Sequence, residues 1–325
     1  MQKYPPAPQD HVRLQPLCIL ADHTDHILGI AFLPQQPILA TTSADGALRL
    51  WNLTTGAPQL LAKSNEAWFS ALACSPDGAL LAVGNGNGNV WLWDLNTHRP
   101  LPQRADHRFA ILALAFSPDG QTLATASLDG SAQLWQITTN RPSFLLEGHT
   151  DAIEDIAFHP GGQMLATASQ DGSVRLWQAT SGRQLALLFR TESWVTSVTF
   201  SPDGRWLACG LETNEAQIWE IQSGHLSQRL TELRSGVLSV AFSPDSRLLA
   251  TGGADGVVWV WSVETGRQVA AAIDHAQAVP AVAFSLQATR NLGVAAPRPA
   301  NPETLVLATG SHDGTARLWT VMSDP

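Results

Sequence analysis

Short apolar runs alternate with turn sequences along most of the chain. Between positions 111 and 137 the runs ILALAF, TLATAS and AQLWQI are separated by SPDG and LDG. Short runs bounded by Asp, Gly, Pro and Ser predict β-strands that are joined by tight hairpin turns. A further run, FLLE at 144–147, precedes the next GHT. The pattern therefore predicts four short antiparallel strands in this part of the chain.

The same pattern repeats with a period of 42 residues. One tryptophan of each unit follows this spacing, except that the last comes 58 residues after the sixth: Trp51, Trp93, Trp135, Trp177, Trp219, Trp261 and Trp319. A second series keeps the period throughout: Phe32, Cys74, Phe116, Phe158, Phe200, Phe242 and Phe284. Seven such units predict an all-β fold, a seven-bladed β-propeller in which each four-stranded blade covers its neighbour.

The two ends of the chain are predicted to meet in one blade. The seventh unit ends at TVMSDP without a fourth strand, whereas PLCIL at 16–20 lies 42 residues before the fourth-strand segment PQLLA. We therefore expect the N-terminal strand to complete the last blade, which hides both sheet edges. The propeller is then expected to span 13–322, between a flexible Pro-rich tail at 1–12 and a short C-terminal end at 323–325. YPPAP in the tail could alternatively act as a polyproline ligand.

The sequence GHTDAIEDIAFHPGGQMLATASQDGSVRLW at 148–177 resembles a WD40 repeat, with its His-containing loop, Asp-Gly turn and strand-ending Trp in register. The resemblance covers nearly the whole chain, and the regular SPDG turns resemble those of bacterial WD-repeat proteins. It implies that a His, a Ser or Thr, the turn Asp and the Trp of one blade form a hydrogen-bonded tetrad. Blades 1, 3, 4 and 7 carry complete sets: His23, Ser43, Asp45, Trp51; His107, Ser127, Asp129, Trp135; His149, Ser169, Asp171, Trp177; and His275, Ser311, Asp313, Trp319.

Three blades depart from the tetrad pattern. The corresponding positions hold Asn65, Asn85 and Asn87 in blade 2, Thr191, Leu211 and Thr213 in blade 5, and Leu233 and Gly253 in blade 6, which keeps Asp255. We expect these blades to be held less tightly. A catalytic Ser-His-Asp triad occurs once per active site, so four sets with the same spacing favour a structural role over catalysis.

The resemblance also implies a top face, formed by the loops before the first strand and between the second and third strands. In relatives, three positions per blade commonly line the partner site there: three and five residues after the His, and one before the Asp. The predicted partner-binding residues are His26, Leu28, Trp68, Ser70, Leu112, Leu128, Glu154, Gln170, Trp194, Glu212, Leu238 and His312. An exposed apolar patch with Trp is typical of binding hot spots. Alternatively, Trp68 and Trp194 pack on neighbouring loops.

Composition narrows the class of partner. The 325 residues are 44% hydrophobic and 14% charged, and the net charge is −9, which disfavours nucleic acid and anionic membrane. Three cysteines without a CxxC pair indicate a reducing compartment, so we expect a cytoplasmic protein. The N-terminus lacks the apolar core of a signal peptide, and no run of about 18 apolar residues offers a membrane span.

Three segments could have other roles. GNGNGNVWLWDL at 84–95 has the glycine spacing of a phosphate-binding loop, but it leads into a strand rather than a helix, so we interpret Asn87-Gly88 as a type I′ hairpin turn. DHTDH at 22–26 could supply metal ligands, although His23 already has a structural role. A 16-residue insertion within 286–304 could form a second contact site or a long disordered loop. Converging acidic and histidine side chains in the central channel would indicate an enzyme.

The sequence therefore favours a non-catalytic interaction scaffold that binds a peptide or protein on its top face, without a cofactor or metal. A single propeller acting within a larger complex is expected. The alternative is an enzyme or metal-dependent site in the central channel, for which His26, Glu154, Glu212 and His312 are the available side chains. An RNA-binding module would need a basic aromatic groove, and the predicted top face has few arginines.

Overall fold

A computed structural model describes residues 12–101, 104–105, 107–139, 141–285 and 305–323. Every regular element in these ranges is a β-strand, and the strands form seven antiparallel sheets arranged in a ring. This confirms the predicted seven-bladed β-propeller. In the described part of the chain, no helix has the length and apolar character needed to cross a membrane.

The N-terminal strand and the first three blades follow one another along the chain. The strand β1 spans Val12–Ala21. Blade 1 consists of β2 (Ile27–Phe32), β3 (Ile38–Ser43), β4 (Ala47–Asn52) and β5 (Pro58–Lys63). Blade 2 consists of β6 (Phe69–Cys74), β7 (Leu80–Asn85), β8 (Asn89–Asp94) and two short outer segments, β9 (Arg99–Pro100) and β10 (Arg104–Ala105). Blade 3 consists of β11 (Ile111–Phe116), β12 (Thr122–Ser127), β13 (Ala132–Gln136) and β14 (Arg141–Leu146).

The remaining four blades complete the ring. Blade 4 consists of β15 (Ile153–Phe158), β16 (Met164–Ser169), β17 (Ser173–Gln178) and β18 (Gln184–Arg190). Blade 5 consists of β19 (Val195–Phe200), β20 (Trp206–Leu211), β21 (Glu215–Glu220) and β22 (His225–Leu230). Blade 6 consists of β23 (Val237–Phe242), β24 (Leu248–Gly253), β25 (Val258–Ser262) and β26 (Gln268–Ala272). Blade 7 contains β27 (Ala281–Ser285), β28 (Leu305–Gly310) and β29 (Thr315–Ser323).

The ring is closed by pairing between the two ends of the chain. The strand β1 lies antiparallel to β29, from the pair Val12 and Ser323 to the pair Ala21 and Thr315, and the sheet order is β1-β29-β28-β27. The predicted closure is confirmed, with Val12 already in the strand rather than in the tail. The predicted flexibility of the tail and the predicted insertion fall on residues 1–11 and 286–304, which lie outside the described residues.

The apolar core lies between neighbouring blades, and the repeated Trp of each blade occupies that space. Trp177 of blade 4 packs with Ala124 and Leu134 of blade 3. Likewise, Trp51 of blade 1 packs with Val306 and Leu318 of blade 7, across the point where the ring closes. Each blade therefore depends on the preceding blade to bury its indole, which explains why the fold requires a closed ring.

The turn at 85–88 differs from the sequence prediction. The Gly88 N–H donates to Asn85 O at 3.2 Å, and Gly88 has a φ of 80°. Asn87 is not among the residues with positive φ, so the predicted type I′ turn, which needs positive φ at both central residues, is wrong. Gly88 instead has the left-handed conformation just after the turn. The loop still leads into β8, as expected for a hairpin.

Deleting residues 13–21 should destabilise the ring, because the deletion removes the strand that covers the edge of β29. We expect a less cooperative thermal transition at lower temperature, with aggregation that rises with protein concentration. Calorimetry and light scattering measure both effects. A melting transition identical to that of the intact chain would contradict the closure.

Candidate interaction face and central channel

The hydrogen-bonded tetrad of each complete blade contains a threonine rather than the predicted serine. In blade 4, Thr167 Oγ1 lies 2.7 Å from His149 Nε2 and accepts from Trp177 Nε1 at 2.8 Å. His149 Nδ1 lies 2.9 Å from Asp171 Oδ2. Because a carboxylate only accepts, Nδ1 carries the proton and Nε2 accepts from the threonine. Equivalent His–Thr contacts of 2.7 Å occur at His23 and Thr41, His107 and Thr125, and His275 and Thr309.

The position of each hydroxyl along the strand explains why threonine, and not serine, belongs to the tetrad. Trp177 lies opposite Leu165 in the β16–β17 ladder, and Thr167 stands two residues after Leu165 on the same face. The indole therefore reaches Thr167 diagonally, as cross-strand neighbours commonly do. Ser169 stands two residues farther along, at the end of the strand. The four predicted tetrad serines, Ser43, Ser127, Ser169 and Ser311, are consequently outside the tetrads.

These serines instead hold the top loops together. Ser169 Oγ donates to Asp151 O at 3.2 Å and accepts from the Asp171 N–H at 3.1 Å. The same two bonds recur at Ser43, Ser127 and Ser311. One hydroxyl thus joins the loop before the first strand to the turn between the second and third strands. This joint fixes the part of the blade that carries the predicted partner-binding positions.

The three divergent blades keep different parts of the tetrad. In blade 2, Val83 takes the place of the threonine, and the buried Nε1 of Trp93 has no hydrogen-bond partner among the described residues. In blade 5, Cys209 stands at that position and Trp219 Nε1 donates to Gln217 Oε1 at 2.9 Å. Blade 6 retains a Trp–Thr bond, at 3.1 Å. The residue ten positions before the Trp, rather than the predicted serine, thus determines whether the indole N–H has a hydroxyl partner.

Burial and hydrogen bonding shift the pKa values of the tetrad groups in a common direction. Burial lowers the pKa of His149 below its usual value, and the bond to Asp171 only partly opposes this. Burial alone would raise the pKa of Asp171, but hydrogen bonds from Ser173 and His149 lower it to about 2. His23 and His275 show the same lowering of pKa. The tetrads are therefore built from a neutral imidazole and an ionised carboxylate.

Two of the predicted partner-binding positions are neighbours in every blade. The backbone N–H one residue before the Asp donates to the carbonyl of the residue three after the His, as in Gly86 N–H to Trp68 O at 3.0 Å. The seven pairs are His26 with Ala44, Trp68 with Gly86, Ala110 with Leu128, Ala152 with Gln170, Trp194 with Glu212, Gly236 with Ala254, and Ala278 with His312. Five of these pairs combine one large and one small side chain, whereas blade 5 has two large ones and blade 6 has two small ones.

Trp68 rests on a glycine. A Cβ atom at Gly86 would lie 2.6 Å from Cε2 and Cζ2 of the indole, so any larger residue at 86 would displace the ring. The indole nevertheless remains 47% exposed. Trp194 is exposed to a similar extent, 44%, and Glu212 beside it is exposed as well. Both indoles are therefore accessible on the top face. Trp68 does pack on the loop that contains Gly86, but about half of its surface stays exposed.

Blade 3 adds apolar surface next to Trp68. Phe109 and Leu128 are 57% and 47% exposed. The turn that seats Trp68 also touches blade 3, because a Cβ atom at Gly88 would lie 2.8 Å from Phe109 O. Phe109 was missed by the sequence analysis, since it stands two residues after the His rather than three. Trp68, Phe109 and Leu128 are called the blade 2–3 patch below.

Blades 7 and 1 present a pair of imidazoles. The rings of His26 and His312 stack, with centroids 4.4 Å apart and planes inclined by 11°. Burial, and then the proximity of His26, lowers the pKa of His312. Of the other groups in DHTDH, Asp22 accepts from Arg49 Nε at 2.7 Å and His23 belongs to the blade 1 tetrad, whereas Asp25 Oδ1 lies 3.8 Å from His26 Nε2. Among the described residues, no group of three or more His, Cys, Asp or Glu side chains is placed to hold a metal ion.

The positions five residues after the His line the central channel instead of the rim. Leu28, Ser70, Leu112, Glu154 and Leu238 surround a cavity of about 210 Å³ together with the neighbouring inner-strand residues. Gln170 Nε2 donates to Glu154 at 2.5 Å. Burial raises the pKa of Glu154, which that hydrogen bond only partly opposes. The predicted site residues thus divide between a rim and the wall of the central channel.

Asp155 is a channel residue that the sequence analysis did not identify. Its Oδ2 accepts from Ser197 Oγ and from the Val198 N–H, both at 2.8 Å, so it joins blade 4 to blade 5. Ser197 Oγ in turn accepts from the Val240 N–H of blade 6 at 3.2 Å. Burial raises the pKa of Asp155 to about 6 against these hydrogen bonds. This chain of bonds links blade 4 to blades 5 and 6, whose own tetrads are incomplete, which gives the carboxylate a structural assignment.

Family comparisons cover nearly the whole ring. The family model described as IFT122 first beta-propeller matches residues 11–220. The chain belongs to this family. The model described as WD domain, G-beta repeat matches residues 224–262 and 272–320, which contain the first three strands of blade 6 and most of blade 7 of this WD40 propeller. Among curated proteins, none matches the chain.

Restoring the missing hydroxyl in blade 2 should stabilise the propeller. Val83→Thr places an acceptor where Thr41 and Thr167 stand in their blades, so Trp93 Nε1 gains a partner and the free energy of unfolding should rise by about 1 kcal/mol. Urea denaturation measures the change. The matched opposite variant, Thr167→Val, should lower the stability by about 1–3 kcal/mol because two buried groups lose their partner. A neutral Thr167→Val would contradict the assignment.

The tetrads should make the propeller less stable in acid. Because the folded pKa values of His23, His149 and His275 are lowered, the unfolded chain takes up protons first, and stability falls as the pH drops through about 6.5. A second loss follows between about pH 4 and pH 2, where Asp171 and Asp313 are protonated.

The matched control is His149→Leu, which copies Leu233 of blade 6. Its urea midpoint should change less between about pH 7.5 and about pH 5.5 than that of the unmodified chain. In both proteins the raised pKa of Asp155 makes stability rise as the pH falls, which is opposite to the effect of the histidines. The difference between the two proteins therefore isolates His149. Equal pH dependence would rule out the imidazole as the cause.

Proposed function

We propose that this WD40 propeller is a non-catalytic interaction scaffold that binds a protein or peptide on its top face. The observation that carries the proposal is the pair of half-exposed indoles, Trp68 and Trp194, at equivalent positions of blades 2 and 5. Accessible Trp side chains at the centre of an apolar surface are typical anchors of protein interfaces. In a seven-bladed ring, three blades of separation put them nearly across the channel mouth from each other.

The surroundings of both indoles support the same function. Serine bridges and the seven backbone bonds between loops hold the rim in place, so little ordering is needed on binding. In the blades with complete tetrads, the repeated His, Thr, Asp and Trp side chains are engaged within the blade, and Asp155 is engaged between blades. The rim therefore contributes exposed apolar and acidic groups, which suit recognition of another chain.

The proposed setting is the cytoplasm, in a complex with the protein partner. Cys18, Cys74 and Cys209 are free cysteines, which supports a reducing compartment. Burial raises the pKa of Cys18 to about 11, and burial together with the charge of Asp77 raises that of Cys74 to about 12. These thiols are consequently protonated and poorly nucleophilic at neutral pH.

Removing either indole should weaken binding of the partner. We expect Trp68→Ala and Trp194→Ala each to cost more than about 2 kcal/mol in partner affinity, because each removes a large apolar contact. The partner is first captured from an extract on the immobilised chain and identified by mass spectrometry, and its dissociation constant is then measured.

Leu187→Ala is the matched control, since Leu187 is 48% exposed but lies on the outer strand β18, away from the rim. It should leave the affinity unchanged. Recovery of the same partners, with the same affinity, by the Trp68→Ala/Trp194→Ala double variant would reject the top face as the binding surface.

A further inference from the structure

Blade 6 is the gap in the ring of large rim side chains. Its two rim positions are Gly236 and Ala254, joined by the hydrogen bond from Ala254 N–H to Gly236 O at 2.9 Å. Every other blade contributes at least one larger group at these positions: His26, Trp68, Leu128, Gln170, Trp194 or His312. The gap formed by Gly236 and Ala254 is called the blade 6 notch. It is the low point of the rim.

The blade 6 notch faces the most apolar part of the rim. The inner strands follow one another in chain order around the channel, and β27 of blade 7 meets β2 of blade 1. In such a ring of seven, blade 6 lies opposite the junction of blades 2 and 3. That junction carries the blade 2–3 patch, Trp68, Phe109 and Leu128. A straight line from the patch to the notch crosses the channel mouth between Trp194 on one side and the His26–His312 stack on the other.

The top loops as a whole carry more acidic than basic side chains, while Arg108 beside Phe109 and Arg234 two residues before Gly236 stand at the two ends of this line. Exposed carboxylates lie at both ends of it, with Glu66 two residues before Trp68 and with Glu212 and Asp255 on either side of the notch. The described top loops contain two basic residues, Arg108 and Arg234. Such a surface attracts cations and repels acidic chains at separations up to about 8 Å at physiological salt.

We propose that the occupant of the top face is an extended, basic segment of the protein partner. It lies across the channel mouth, places an apolar side chain on the blade 2–3 patch and leaves the ring through the blade 6 notch. Its lysine or arginine side chains meet Glu212 and Asp255, while the aromatic platform of Trp68 receives the apolar group. This assignment rests on the proposed function of the top face and adds the chemistry and direction of the bound chain.

Three fluorescein-labelled peptides of about nine residues, long enough to extend about 30 Å, serve as probes. One alternates Lys with Leu, one alternates Glu with Leu, and one alternates Lys with Ser. In fluorescence anisotropy titrations the Lys–Leu peptide should bind at least about tenfold more tightly than either of the others, because only it supplies both charge and apolar contact. Equal binding of the Glu–Leu peptide would overturn the basic occupant.

Filling the notch tests the direction of the chain. Ala254→Trp should weaken binding of the Lys–Leu peptide at least about tenfold, because the new indole blocks the exit. The matched control is Ala44→Trp, the same register position in blade 1, which lies off the line and should leave affinity within about twofold. Gly236 is left unchanged, since a Cβ there would meet Glu212 O at 2.9 Å.

A charge reversal gives a second test that does not depend on the folding of Ala254→Trp. Glu212→Lys should weaken binding of the Lys–Leu peptide about tenfold at low salt. The control Glu264→Lys lies in the turn between β25 and β26 on the opposite face and should leave binding unchanged. If Trp68→Ala weakens peptide binding but Ala254→Trp and Glu212→Lys do not, the path through blade 6 is wrong and the proposed function stands. If Trp68→Ala has no effect on the partner or the peptide, the proposed function itself fails.

Discussion

The contact between each indole and the preceding blade is the interaction on which the architecture depends. A single four-stranded blade has two faces and cannot bury both by itself. The Trp of each blade fills the space against the blade before it, as Trp177 does against Ala124 and Leu134, while its N–H bonds to a threonine in its own blade. One side chain thus serves both the cohesion of a blade and the contact between blades. Loss of such a residue from a core typically costs about 3–5 kcal/mol.

The top face is organised by a second repeated interaction, the backbone bond between the two loops of each blade. Because this bond brings the two rim positions together, their side chains compete for the same space, and a large residue is generally matched by a small one. Trp68 over Gly86 is the extreme case. The glycine-rich stretch at 84–88 therefore has a role that neither a phosphate loop nor a simple hairpin explains, since it provides the flat seat of an exposed aromatic ring.

Much of the fold could be predicted because the sequence repeats. The 42-residue period gives the number of blades, and the segment at 16–20 shows how the ring closes. The predictions that were wrong concern residues that the 42-residue period does not distinguish. Thr167 and Ser169 stand two residues apart on one face of β16, and only their depth relative to the indole separates the tetrad from the loop joint. Val83 and Cys209 replace the threonine in blades 2 and 5, and this difference was the sequence signal that could have identified the threonine position.

Single features of individual blades were harder to predict than repeated ones. Asp155 has no counterpart in the other blades, and its role depends on bonds to Ser197 and Val198 of the next blade, about 40 residues away in the sequence. Phe109 lies next to, rather than on, a rim position. Both residues matter through their neighbours in the ring, which one repeat considered by itself cannot reveal.

Closure by β1 also has a consequence for the order of assembly during synthesis. The hydrogen bond from Thr320 Oγ1 to Gln15 O spans 305 positions of the chain, so within the propeller the strand that is synthesised first pairs with the one that is synthesised last. Until β29 is made, both β1 and the exposed face of blade 1 lack their native contacts, and such long-range pairing is intrinsically slow. The propeller consequently behaves as a structure that becomes native in one late step, although its blades are translated one after another.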